Sequence, residues 1–144
     1  MNRGRTSGAP SAFIDTAAYF ALADPSDNAH AAATAIARSL AIEHRRTYTT
    51  NFVLAETHAL LLSRIGRATA RTVLRAIDTS STLIERVTPA DEALARAIID
   101  KYDDKNFSLT DATSFAIMER LGLIEVFTFD RNFTQYGFTV LSPV

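Results

Sequence analysis

The sequence predicts an α/β fold in three layers, a central parallel sheet of about five short strands flanked by helices. Three observations carry that expectation. Short apolar, β-prone runs alternate with longer segments of helical periodicity, so successive strands are joined by crossovers and pair in parallel. The chain has 144 residues, the length of one ordinary domain. Hydrophobic residues make up 47% and charged residues 22%, enough apolar material for a real core, which excludes disorder as the main state.

The elements follow in order. Residues 1–11 are small and polar and read as a flexible leader without the apolar stretch of a signal peptide; the domain is expected over 12–144. Ala12-Phe13-Ile14-Asp15 is an apolar run ending in an acid, the first strand. A helix over 16–22 is stopped by Asp24-Pro25-Ser26. Over 27–44, Ala29, Ala33, Ile36, Ala37 and Leu40 recur at helical spacing. Thr47-Tyr48-Thr49 is a short strand. A strong helix spans 52–65, with Leu54, Leu61 and Ile65 on one side and Gly66 as its stop. Another covers 67–78. A strand over 82–87 precedes a helix opened by Pro89 and running to about Lys101. After a charged loop over 102–107, a helix spans 108–121 and Gly122 ends it. Glu125 to Asp130 is a second strand ending in an acid, and 138–141 is the last strand. There is no internal repeat, and no apolar run approaches the roughly 20 residues of a membrane-spanning helix.

Composition narrows the chemistry. The absence of cysteine removes disulfides, thiolate catalysis and cysteine-based zinc sites together. Sixteen acidic and fifteen basic residues leave a net charge of −1, unlike a strongly basic nucleic-acid-binding module. His30, His44 and His58 have no ligand-like spacing, so histidine acid–base chemistry fits poorly.

Position matters more than totals. Asp15 and Asp130 end strands, and ligands of an open parallel sheet bind outside the carboxyl ends of its strands. Glu56 and Asp111 lie near the starts of helices expected at the same edge. Each acid also has a plain structural reading. Asp15 can cap a helix, and Ser108-Leu109-Thr110-Asp111 can be a capping box. Asp130 can initiate a turn through Arg131 and Asn132, and Glu56 can be a solvated helix residue. Together they suggest more. Two like charges about 5 Å apart repel by roughly 3 kcal/mol at an effective dielectric of 20, so four converging carboxylates call for a shared cation. Magnesium or manganese, which prefer carboxylate and water oxygens, are the natural compensators, and such ions assist phosphodiester hydrolysis.

Four motifs then make a family visible. Phe13-Ile14-Asp15-Thr16, Thr49 to Glu56, Phe107 to Ala112 and Phe127 to Phe133 together resemble a PIN domain. They are most similar to the VapC-type toxin ribonucleases of bacterial toxin–antitoxin pairs, in order and spacing, over residues 12–144. The resemblance implies a PIN-like fold and a magnesium-dependent endoribonuclease, with manganese as the substitute ion. By position Asp15, Glu56, Asp111 and Asp130 match the family's catalytic, metal-binding acids. Asp15 and Asp111 are usually direct ligands, while Glu56 and Asp130 often act through water or a second ion. Thr16 and Thr110 match supporting hydroxyls. The resemblance further implies a structured RNA substrate of the tRNA or ribosomal RNA class, a small antitoxin partner, a homodimer and a cytoplasmic location.

An acidic pocket repels RNA, so cationic flanks are needed. Arg64, Arg67, Arg71 and Arg75 recur at three- and four-residue steps; Arg45 and Arg46 precede the second strand, and Arg131 follows Asp130. Of these, Arg131, Arg67 and Arg71 are the candidate RNA contacts, against a solvated arginine face as the alternative. Asp103 and Asp104 are expected on the surface, and Phe115 and Met118 in the core. Competing functions are an RNA maturation or decay nuclease and a catalytically silent binding module. A phosphoacceptor receiver would need a lysine near the end of a late strand, yet Lys101 and Lys105 flank one loop. An aspartyl-nucleophile phosphatase would need an acid where Ala17 stands.

Overall fold

The computed structural model describes residues 10–143, so the expected leader falls almost entirely outside the described residues. The chain runs β1 (Ala12–Ile14), α1 (Thr16–Ala23), α2 (His30–Ile42), β2 (Thr47–Thr50), α3 (Asn51–Arg64) and α4 (Arg67–Thr79). It continues β3 (Leu83–Glu85), α5 (Pro89–Lys101), α6 (Leu109–Leu121), β4 (Glu125–Phe127), α7 (Arg131–Tyr136) and β5 (Thr139–Val140). The five strands form one sheet in the order β3-β2-β1-β4-β5, every pair parallel. From β1 the chain builds outward through β2 and β3, then returns to β1's other side with β4 and β5. The strand order therefore reverses between β1 and β4, and the crevice at their carboxyl ends is where such sheets bind ligands.

The strands at that crevice end earlier than expected because their last residues turn into helix caps. Asp15 still donates its amide to the Phe127 carbonyl (3.1 Å), then accepts from the Ala17 amide as the N-cap of α1. Asp130 stands beyond β4 and caps α7, a helix where only a turn was expected. Six residues are too few to show a helical period, and α7 buries one side chain completely, Phe133. That ring meets Phe115 edge-on at 5.0 Å and lies 6.4 Å from Phe13, which docks α7 on the core.

The core is sandwiched between sheet and helices. Phe13 and Phe127 on the sheet and Phe115 and Met118 on α6 are fully or almost fully buried, as the sequence led us to expect for α6. Residues Asp111 through Met118 are all buried, which makes α6 the innermost helix and fixes its first turn rigidly. Gly122 ends α6 in the left-handed conformation (φ 71°), a backbone state that costs glycine little. Gly66 (φ 141°) turns α3 into α4, which pack side by side.

Candidate active site

Four elements deliver one acid each to the crevice. Asp15 and Thr16 begin α1, Glu56 lies on α3, Asp111 opens α6, and Asp130 caps α7. Asp15, Thr16, Glu56, Asp111 and Asp130 line a single cavity of about 340 Å³, together with Ala17, Leu60 and Ser108. The cavity wall contains no basic residue.

Each carboxylate is held in place by local chemistry. Thr128 donates from Oγ1 to Asp15 Oδ2 (2.9 Å), while Asp15 Oδ1 is buried without a partner. Thr16 donates from Oγ1 to Glu56 Oε1 (2.8 Å) and itself accepts from the Thr57 hydroxyl (3.3 Å). Asp111 Oδ2 accepts from the Ser108 amide (3.1 Å) and from Asn132 Nδ2 (2.9 Å). Asp130 Oδ1 accepts from the Asn132 amide (2.9 Å), and its own amide donates to the Thr128 hydroxyl (3.0 Å). Capping does not remove Asp15 or Asp111 from the cavity. One oxygen caps the helix and the carboxylate still faces the cavity.

The electrostatics show a cluster short of positive charge. Burial, with the Asp111 charge adding to it, pushes the Asp15 carboxyl up to about 7, although the Thr128 hydrogen bond opposes the shift. Glu56 is raised by burial and by the charges of Asp111 and Asp130, against the Thr16 hydrogen bond. Asp111 is raised by burial and by Asp130, against its bonds from Ser108 and Asn132. Buried like charges that perturb one another mark functional sites.

This donor set fits a divalent ion. Every available donor is oxygen, as magnesium and manganese prefer, and the orphaned Asp15 Oδ1 is a lone acceptor that a cation would satisfy. Among the described residues no three carboxylates are already drawn together at one ligating point. The acids ring the cavity instead.

The other residues singled out in the sequence fall into place around this ring. Thr16 supports Glu56 as a hydroxyl, but Thr110 bonds to none of the four acids; its carbonyl accepts from Thr113 within α6. The hydroxyl that holds Asp15 comes from Thr128, and the amide that holds Asp111 comes from Asn132. Both lie in the Phe127 to Phe133 motif, and only their proximity in the fold reveals their roles. Arg131, Arg67 and Arg71 are exposed and do not line the cavity. His30 bonds the Ala21 carbonyl through Nδ1 (2.8 Å), and neither His44 nor His58 lines the cavity. Asp103 and Asp104 are exposed, with Asp104 paired to Lys105.

The sequence and the fold both have counterparts among known proteins. The model of the PIN domain matches residues 12–139. The chain is 34% identical over 132 residues to the 23S rRNA-specific endonuclease VapC20 of two Mycobacterium tuberculosis strains, covering 91% of this chain and 98% of that protein. It is also similar to the crystal structure of Mycobacterium tuberculosis VapC20, described as a sarcin-ricin loop cleaving toxin. There the TM-score is 0.85 with 32% identity, covering 92% of this chain and 100% of that one. FitAcB from Neisseria gonorrhoeae shares the fold with a TM-score of 0.61 at 18% identity, over 90% of this chain and 95% of that one.

Proposed function

The chain belongs to the PIN domain family, and on that premise we propose that it is a divalent-metal-dependent endoribonuclease acting as the toxin of a toxin–antitoxin pair. The observation that carries this reading is the ring of four acids at the sheet's switch point, uncompensated by any basic residue in the cavity wall. Magnesium is the proposed ion and manganese its substitute. Asp15 and Asp111 would hold it directly, with Glu56 and Asp130 acting through water or a second ion. When bound, such an ion activates water and offsets charge on the leaving oxygen in phosphodiester hydrolysis.

The chain's own residues supply the frame. Thr128 and Asn132 from outside the cavity and Thr16 from its wall orient three of the carboxylates, which presets the donors before substrate arrives. Thr110 is retained as a supporting candidate through its place beside Asp111 rather than through a bond. The substrate proposed is a structured RNA of the ribosomal class, because the relative VapC20 is named for 23S rRNA and its structure for the sarcin-ricin loop. A small antitoxin, a homodimer and a cytoplasmic site of action complete the reading. No helix of the described residues is long and apolar enough to cross a membrane.

The test is incubation of purified protein with total RNA in magnesium or EDTA, beside an Asp111→Asn variant. Cleavage that needs magnesium, is lost in the variant, and leaves 3′-hydroxyl and 5′-phosphate ends supports the reading. Cleavage that survives EDTA, or that leaves a 2′,3′-cyclic phosphate, contradicts it. Induction in a bacterial host addresses the toxin role: wild type should arrest growth, whereas Asp15→Ala should not.

A further inference from the structure

Outward from the acidic cavity, the seam between α1 and α3 leads to an arginine. Ala17 of α1 and Leu60 of α3 both line the cavity. One helical step further stand Phe20, three residues after Ala17, and Arg64, four residues after Leu60. The two meet there: the Arg64 guanidinium carbon lies 5.9 Å from the centroid of the Phe20 ring. Glu56, Leu60 and Arg64 therefore form one row on α3, with Arg64 about 12 Å along the helix axis from Glu56.

Arg64 is exposed and takes part in none of the ion pairs among the described residues. The ring covers one face of the guanidinium and limits its rotamers, while its edge donors stay open. A planar cation steadied in this way suits paired hydrogen bonds to a phosphate. Seated over Phe20 and outside the cavity wall, it is placed to serve a phosphate neighbouring the one among the carboxylates. Arg67, Arg71 and Arg131 do not share this row.

We propose that Arg64, braced by Phe20, contacts a backbone phosphate of the RNA beside the one at the acidic cavity and so aligns the strand along the α1–α3 seam. This rests on the ribonuclease reading, and it adds a substrate-positioning residue to it. The strand would be held by attraction at Arg64 and presented to a cavity that otherwise repels it.

The probe is a fluorescein-labelled single-stranded RNA oligonucleotide, titrated by anisotropy over a range of salt on an uncleaving Asp111→Asn background. Arg64→Gln is expected to weaken binding about tenfold and to flatten the slope of log affinity against log salt by about 0.7, the signature of one lost phosphate contact. Arg64→Lys should keep the slope. In the active protein Arg64→Gln should raise KM about tenfold and leave kcat within about twofold. An unchanged salt slope overturns the proposal, whether the variant merely melts earlier or instead loses its hold on a glutamate-rich peptide, which would assign Arg64 to a protein partner. If wild type neither binds nor cleaves RNA, the ribonuclease reading falls and takes this one with it. If wild type cleaves and Arg64→Gln matches it in slope and KM, this proposal alone is rejected.

Discussion

Asp91 and Asp111 occupy the same position of the same local motif. Thr88 and Asp91 open α5 as Ser108 and Asp111 open α6, each a complete capping box. The hydroxyls accept from the third-residue amides at 3.1 and 3.0 Å, and the carboxylates accept from the cap amides at 2.9 and 3.1 Å. Both aspartates are buried. What separates them is the next neighbour. Asp91 takes a two-pronged contact from Arg120, Nε to Oδ1 and Nη2 to Oδ2, both 3.0 Å, and Arg120 also reaches Glu85 at 3.2 Å. Burial pushes the Asp91 carboxyl up, but the hydrogen bonds from Arg120 and Thr88 outweigh it and hold the group low. Asp111 receives only a neutral amide from Asn132 and faces other acids, and its carboxyl is raised. One carboxylate is compensated inside the protein; the other has no basic partner among the described residues. A capping box therefore says where a helix begins and leaves function to the surrounding charge.

The sharpest way to break this contrast is to neutralise each aspartate in turn. Asp111→Asn is expected to lower RNA cleavage by about a thousandfold or more, since it removes a ligand of the acid ring. Its stability in urea should hold or rise, because the amide keeps a capping oxygen and relieves repulsion. Asp91→Asn should do the reverse. It takes from Arg120 its two-pronged carboxylate partner, leaving Glu85 as the one remaining anion on it, and should cost about 2 kcal/mol of stability, while cleavage changes little at a temperature where the variant stays folded. Equal losses of activity in the two variants would erase the distinction.

Acidity sharpens the comparison further. In metal-free protein Asp15 is raised by burial and its acidic neighbour to about 7, from an ordinary value of 3.8. The folded state then binds more protons than the unfolded state between about pH 4 and pH 7, so stability should fall as pH rises through that window. Asp91 is held low, and its contribution is lost only in more acidic solution, outside this window. Thermal melts in EDTA should give a midpoint several degrees lower at pH 8 than at pH 5. Magnesium should narrow the gap by binding the ionised ring. A midpoint in EDTA that is flat or rises with pH contradicts the claim that the ring is uncompensated.

The layered parallel fold was legible in the sequence because its strands are short apolar runs and its helices carry clear periods and stops, as at Gly66 and Gly122. The four acids could be located for a related reason: Asp15, Asp111 and Asp130 sit where a strand ends or a helix begins, Glu56 follows in the second turn of α3, and the fold brings them to one crevice. The helix α7 was illegible, since its docking rests on Phe133 alone and tertiary packing decides its conformation. The partners of the acids were equally hidden. Thr110 adjoins Asp111 in sequence, yet its hydroxyl bonds to none of the four carboxylates, whereas Thr128 lies 113 residues from Asp15 and bonds to it across β1 and β4. Arginine spacing likewise shows less than the fold does. The regular stripe from Arg67 to Arg75 marks an exposed face of α4, while Arg64 becomes distinctive only when α1 brings Phe20 beneath it.

An acid ring without an internal counter-charge should be completed by a divalent cation, and titration calorimetry tests this without RNA. Manganese titrated into wild type should give saturable binding that is lost in Asp111→Asn and kept in Asp91→Asn. Binding that survives in Asp111→Asn, or that is absent from wild type, would show that the ring is not a divalent-cation site.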